Sequence, residues 1–223
     1  MSKGKLIIVE GACDGIGKST QYELLYDYLV KEGYKVVKHH FPSYNTTQGA
    51  LVEKYLKGEY GNPKEISPYF INSLYAIDRA ASFKESLGDE YEKGSVLLFD
   101  RYTTSSIIYQ SSTIDNLEKR KEFIDYIVDF EYNKLEIPTP DEVIFLHAPF
   151  ELVTELRRQR KENDGISNDI HERDLSFMKR VYDNSMYLSD YLNWDKVDCS
   201  SNNEMRSRED IHEEVKQKVK RII

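Results

Sequence analysis

An apolar run, Leu6-Ile7-Ile8-Val9, leads through Glu10 into Gly11-Ala12-Cys13-Asp14-Gly15-Ile16-Gly17-Lys18-Ser19-Thr20, and no other stretch restricts the fold of this chain as tightly. A buried strand that opens through glycines into a helix beginning Lys-Ser-Thr reads as a phosphate cradle. Glycines let successive backbone N–H groups turn inward at the helix N-terminus, Lys18 adds a cation for the outer phosphates, and the Ser19 hydroxyl suits Mg²⁺. Counted from Gly11, the loop holds one residue more than G-x-x-x-x-G-K-[ST]; counted from Ala12 it has the usual length, with Ala in place of the first Gly. On this segment alone, a glycine-rich turn that binds nothing is the competing reading.

The 223 residues suffice for one well-buried α/β domain spanning 1–223, and a second full domain would be cramped. A net charge of -8 argues against a protein that coats nucleic acid or an anionic membrane, so attraction for phosphate must come from local clusters and the partner is a small anion. Only Cys13 and Cys199 are present, without C-x-x-C spacing, which fits a reducing cytoplasm. No apolar stretch approaches the length of a membrane span or a signal-peptide core, so a soluble, unprocessed chain is expected.

Short apolar runs alternate with longer amphipathic ones. Strands are predicted at 6–9, 35–40, 96–99, 143–146 and, weakly, 196–199; helices at 18–31, 50–57, 67–86, 118–133, 151–161, 172–192 and 208–222. Five strands joined by helix-length segments imply right-handed crossovers, hence a parallel sheet covered on both faces. The stretch 157–169 turns from basic (Arg157, Arg158, Arg160, Lys161) to polar and loop-forming inside an otherwise helical region. It reads as a mobile lid over about 157–171 that closes basic groups on the phosphates, or as a solvated helix end whose cations face the last carbonyls.

A second strand, Val96-Leu97-Leu98-Phe99, ends on Asp100-Arg101 and runs into a helix carrying Ser105, Ser106, Tyr109 and Gln110. Ligands of open α/β sheets sit beyond the carboxyl ends of the strands. Asp100 could therefore hold Mg²⁺ and Arg101 clamp a phosphate; a surface ion pair is the plain alternative. Tyr75 and Arg79, four apart, share a helix face, where an aromatic plane beside a guanidinium suits a nucleobase, or is simply a helix-surface contact. Phe41-Pro42-Ser43-Tyr44 follows the second strand at the same sheet edge. Asp169 and Glu172 flank the start of a long helix, where Asp169 could serve as an N-terminal cap or the pair could face the reacting groups.

These segments, in this order, resemble the thymidylate kinase family over nearly the whole chain: the phosphate loop Gly11–Thr20, Phe41–Tyr44, Tyr75-Ala76-Ile77-Asp78-Arg79, Asp100–Gln110 and Asp169–Asp174. The resemblance implies a P-loop kinase that transfers the γ-phosphoryl group of ATP to dTMP with Mg²⁺. It also implies that Lys18 neutralises the transferring group, Ser19 ligates the metal and Arg101 holds the acceptor phosphate. By the same resemblance Tyr75 stacks on thymine, Arg79 meets its carbonyl, Asp14 and Tyr109 recognise the sugar, and Arg160 or Arg157 supplies the lid cation; members are commonly homodimers. The sequence departs from the family in the extra loop residue, in His147-Ala148-Pro149 where Asp usually precedes the proline, and in Tyr75 where Phe is more frequent. A different acceptor, either another nucleoside monophosphate or a deoxynucleoside, and an ATP-binding module without turnover are the alternatives.

Overall fold

The computed structural model describes residues 3–63, 65–164 and 175–223, with the backbone alone over 160–164. Five strands form the main sheet: β1 (Lys5–Gly11), β2 (Val36–His40), β3 (Val96–Asp100), β4 (Glu142–His147) and β5 (Asp195–Asp198). All neighbours are parallel, in the order β2-β3-β1-β4-β5. This is the sheet the spacing of apolar runs predicts. β1 lies at the centre, and Leu6, Ile7, Ile8 and Val9 are fully buried because helices cover both faces.

Alternation along β1 divides the core. Ile7 and Val9 pack with Leu98, Ile144 and Leu146 beneath α1 (Lys18–Lys31) and α9 (Arg208–Val219), which contribute Leu25, Leu29, Val215 and Val219. Leu6 and Ile8 face the other way, against Leu97, Phe99, Phe83, Leu87 and Tyr102. Edge strand β2 is only partly covered, and its Lys38 and two histidines discourage pairing with a further strand.

Between the strands run α2 (Ala50–Leu56), α3 (Pro68–Ser82), α4 (Gly88–Glu92), α5 (Thr103–Ser111), α6 (Leu117–Val128), α7 (Phe150–Asp164) and α8 (Leu175–Tyr191). Two predicted helices depart from regular geometry. The 67–86 helix is α3 followed by a π-helical turn, Phe83–Leu87, and then α4; Gly88 permits this, since a Cβ there would stand 2.8 Å from the Phe83 carbonyl oxygen. Likewise α6 passes into a π-helical stretch, Asp129–Lys134. The lid expected over 157–171 is helical through Asp164, as the end of α7, and its remainder lies outside the described residues. A small antiparallel pair, β6 (Ser200–Ser201) with β7 (Glu204–Met205), escaped the sequence reading although Asn202 and Asn203, both at positive φ, are the turn residues such a hairpin requires. Among the described residues no helix is long and apolar enough to cross a membrane.

At the sheet end away from the strand tips, burial and the adjacent Asp195 push the Glu142 carboxyl up from 4.5 to about 6. A carboxyl raised on folding favours the protonated native state, so the stability it contributes is full at low pH and is lost as pH rises through about 6. Glu142→Gln should therefore raise the melting temperature above wild type near pH 7.5 and match it near about pH 4. An equal difference at both pH values in a thermal-melt series would contradict this origin of the shift.

Candidate active site

Parallel pairing in register sets the site. Val9 lies opposite Asp100 and His40 opposite Asp100, so the loops leaving β1, β2 and β3 emerge side by side. The extra residue of the phosphate loop is absorbed upstream. β1 continues through Gly11, opposite Leu146, and the Ala12 N–H donates to the Leu146 carbonyl at 2.9 Å. The loop proper thus starts at Ala12, and Cys13 turns into the core beside Ile16. Gly17 caps α1 at φ 97° with open space around it, so backbone conformation alone demands glycine there. No side chain caps the first turn, which leaves its N–H groups to a ligand.

A cleft of about 300 Å³ opens over these strand ends. From the phosphate loop it takes Asp14, Lys18 and Ser19; from the other predicted segments Phe41, Pro42, Tyr44, Tyr75, Arg79, Asp100, Arg101, Ser105, Ser106, Tyr109 and Gln110. Thus residues from Asp14 to Gln110 share one cavity. Thr20 does not line it; it follows Ser19 in the first turn of α1.

Lys18 Nζ donates to Asp100 Oδ1, while His40 Nδ1 lies 3.2 Å from Asp100 Oδ2. Burial would raise the Asp100 carboxyl, but the His40 and Lys18 contacts prevail and hold it well below the usual carboxylate range. Arg101 sits at φ 69°, a left-handed conformation costing a branched-free side chain on the order of 1–2 kcal/mol. Its guanidinium donates to Asp14 Oδ1 and to Ser105 Oγ (3.4 Å), and lies 5.3 Å from the Tyr109 ring centroid. Tyr109 O–H donates to Asp14 Oδ2 at 3.4 Å. For Asp14, too, burial works upward, and Arg101, Lys18 and Arg157 overcome it and keep the group ionised.

Tyr75 and Arg79 line the same wall, four residues apart on α3, with Tyr55 edge-on to Tyr75 at 6.4 Å. Arg79 is buried and bound bidentately by Glu131, at 2.6 and 2.7 Å. The Phe41–Tyr44 loop, which begins with a cis Phe41-Pro42 bond, is tied to α3 because Asp78 Oδ2 accepts the Ser43 N–H at 2.8 Å; Tyr44 stacks on His40 at 5.8 Å. Gln110 Oε1 is buried without a hydrogen-bond partner. On the outer side of the phosphate loop, Arg157 of α7 packs against Gly15, whose Cβ position lies 3.7 Å from the arginine's Cβ. Nothing is described of the Arg160 side chain, and Asp169 and Glu172 lie outside the described residues.

Leu56 and Tyr102 line the cleft without a role read from the sequence, and so do three charged or titratable groups at or behind it, His40, Glu10 and Glu131. His40 and Glu10 stand at strand carboxyl ends, which was signal enough. Glu10 is fully buried and accepts hydrogen bonds from Thr104 Oγ1 (2.9 Å) and Ser105 Oγ (2.6 Å). Glu131 left a fainter trace: a carboxylate on the buried stripe Phe123, Ile127, Glu131. Among the described residues no cluster of three His, Cys, Asp or Glu could enclose a metal ion. Mg²⁺ does not need one, since it keeps several waters and takes one or two protein oxygens with substrate phosphates; Ser19 and Asp100, both on the cleft, fit that pattern.

A parallel sheet in this strand order, with a glycine loop entering α1 and cations gathered over the strand tips, defines a P-loop nucleotide kinase. The thymidylate kinase family model matches residues 9–215, and the chain belongs to that family. A thymidylate kinase from Halothermothrix orenii is 32% identical over 220 residues, covering 98% of this chain and 97% of the relative. One from an Exiguobacterium species is 33% identical over 179 residues, 80% of this chain and 78% of its own. In structure, a thymidylate kinase from Candida albicans superposes with a TM-score of 0.74 over 99% of this chain and 93% of that one, at 20% identity, a likeness of fold.

Although Cys13 belongs to the phosphate loop, it is 5% exposed and burial pushes its thiol up to about 12. Cys199 is buried and raised equally, to about 12. Neither cysteine should react with a thiol reagent at neutral pH until the protein unfolds. Labelling of Cys13 in the native state would place it at the loop surface and contradict this packing.

Proposed function

We propose that this cleft transfers the γ-phosphoryl group of ATP to dTMP, giving dTDP and ADP. The observation that carries the reading is that Lys18 and Arg101, from two different strand ends, line one cavity together with an aromatic wall. Family membership supports dTMP as the acceptor. ATP phosphates belong over the uncapped first turn of α1, with Lys18 on the transferring group and Arg157, packed on the outside of the loop, adding a cation there. Ser19 and Asp100 would hold Mg²⁺, which when bound neutralises phosphate charge.

Arg101 grips the acceptor phosphate in this reading, Tyr75 stacks on the base, and Asp14 with Tyr109 meets the sugar. Gln110 Oε1, buried and unpartnered, suits the imide N–H of thymine. Such a reaction needs alignment and charge stabilisation rather than a side-chain nucleophile, because the acceptor phosphate oxygen itself attacks. Every cation on the cleft is already held by a carboxylate, so incoming phosphates take over partners that stand in place. Arg160 serves as the lid cation that the resemblance implies, and Asp169 with Glu172 faces Mg²⁺ or the neighbourhood of the acceptor.

In a coupled ADP-release assay with a panel of acceptors, dTMP should turn over and thymidine, which leaves Arg101 without a phosphate, should not. Lys18→Ala should lower kcat by about 10²–10³-fold while the protein remains folded. Absence of dTMP turnover would remove the proposal.

We also propose a cytoplasmic homodimer. Both cysteines are free, as a reducing compartment keeps them, and α3 turns three large apolar side chains, Tyr69, Phe70 and Ile77, to the outside. A second copy of the chain on this face would cover them. Light scattering should give twice the chain mass, falling to the single mass in Ile77→Asp; a wild-type monomer would refute the pairing.

A further inference from the structure

We propose that Glu131 is a positioning residue that sets base selectivity by converting Arg79 from a free cation into a single directed donor. The proposal rests on the reading of the cleft as a dTMP site.

A guanidinium has five N–H groups. In Arg79, Nε donates to Glu131 Oε2 at 2.6 Å, and NH2 donates to Glu131 Oε1 at 2.7 Å and to Ser106 Oγ at 2.8 Å. NH1 donates to the Tyr102 carbonyl at 3.3 Å, which leaves one NH1 hydrogen to spare on a side chain that lines the cleft. Glu131 is itself fixed from behind, because Thr103 Oγ1 donates to Oε2 at 2.9 Å. Both partners are buried, with exposures of 1% for Arg79 and 0% for Glu131.

Two consequences follow from this geometry. Four of its five N–H groups are already taken, two of them by both oxygens of one carboxylate, so Arg79 does not compete with Arg101 for the acceptor phosphate despite lining the same cavity. Its plane is also locked, so the spare hydrogen offers a direction rather than a field. A keto oxygen on a pyrimidine accepts that hydrogen; the exocyclic amino group of cytosine presents a donor to it. In a buried site an unmade polar contact is a large penalty, which is how a fixed donor excludes the amino base. Without the clamp the guanidinium could turn, and the distinction would weaken while the phosphate-binding groups stayed as they were.

The test compares wild type, Glu131→Gln and Thr103→Val in steady-state turnover of dTMP and dCMP at saturating ATP, with melting curves of each. Thr103→Val removes the buttress behind Glu131, together with a Thr103 contact to Tyr132, while leaving the Arg79–Glu131 pair itself, and serves where Glu131→Gln fails to fold. Loss of positioning should raise KM for dTMP by about tenfold, leave kcat and KM for ATP within about threefold, and lower the dTMP-to-dCMP ratio of kcat/KM by at least about tenfold. Thr103→Val should shift the same quantities in the same direction, by less. Selectivity unchanged in the folded variants, or kcat falling in parallel for both acceptors together with the melting temperature, overturns the proposal. A wild type that turns over no dTMP instead removes the functional reading beneath it.

Discussion

The register of β3 against β1 is the constraint on which the site depends. With Val9 opposite Asp100, the phosphate loop and the Asp100-Arg101 turn leave the sheet as neighbours, and the Arg101 N–H still reaches the Val9 carbonyl at 3.4 Å. Buried strands specify register strongly, because a slip of one residue would exchange Ile7 and Val9 for Leu6 and Ile8 between two different cores. The spacing of Lys18, Asp100 and Arg101 is thus a by-product of core packing. Lys18 meets Asp100 only because the apolar stripes on either side of β1 leave one way for β3 to pair.

Upon that frame the chain arranges cations and carboxylates in matched pairs: Lys18 with Asp100, Arg101 with Asp14, Arg79 with Glu131. Burial alone would make each group costly, and removing one partner of such a pair leaves an uncompensated charge. Pairing solves the problem of storing positive charge in a partly dry cavity. It also sorts the cations. Lys18 meets Asp100 at one oxygen, and Arg101 meets Asp14 at one oxygen with Glu10 Oε1 4.0 Å from its other terminal nitrogen, so an anionic ligand can compete for them; Arg79 is clamped by Glu131 at two of its three nitrogens and keeps only one hydrogen.

The fold was legible in the sequence because its strands are short apolar runs buried on both faces, a pattern set by the hydrophobic effect alone. Five strands and the loop at Ala12–Lys18 follow from that. The motif residues Tyr75, Arg79, Asp100, Arg101 and Tyr109 were readable as a site because strand ends and helix faces are local properties. What stayed hidden depends on partners remote in the chain. Arg79 reads as half of a base-recognising pair, yet two of its donors go to Glu131, fifty-two positions away, and two more to Ser106 and the Tyr102 carbonyl. The π-helical turns at Phe83–Leu87 and Asp129–Lys134 carry no distinct periodicity over so few residues. Asp78 gives another instance: beside Arg79 it looks like part of the binding motif, whereas it anchors the Phe41–Tyr44 loop through Ser43.

The central claim is that donor and acceptor occupy one continuous cavity between Lys18 and Arg101. It is tested most directly by titration calorimetry with a bisubstrate analogue, thymidine joined 5′ to 5′ to adenosine through a polyphosphate bridge, in competition with each nucleotide. One analogue should bind per chain, displaced by ATP alone and by dTMP alone. An analogue displaced by only one of them, or bound alongside dTMP, would show that the two cations serve separate sites.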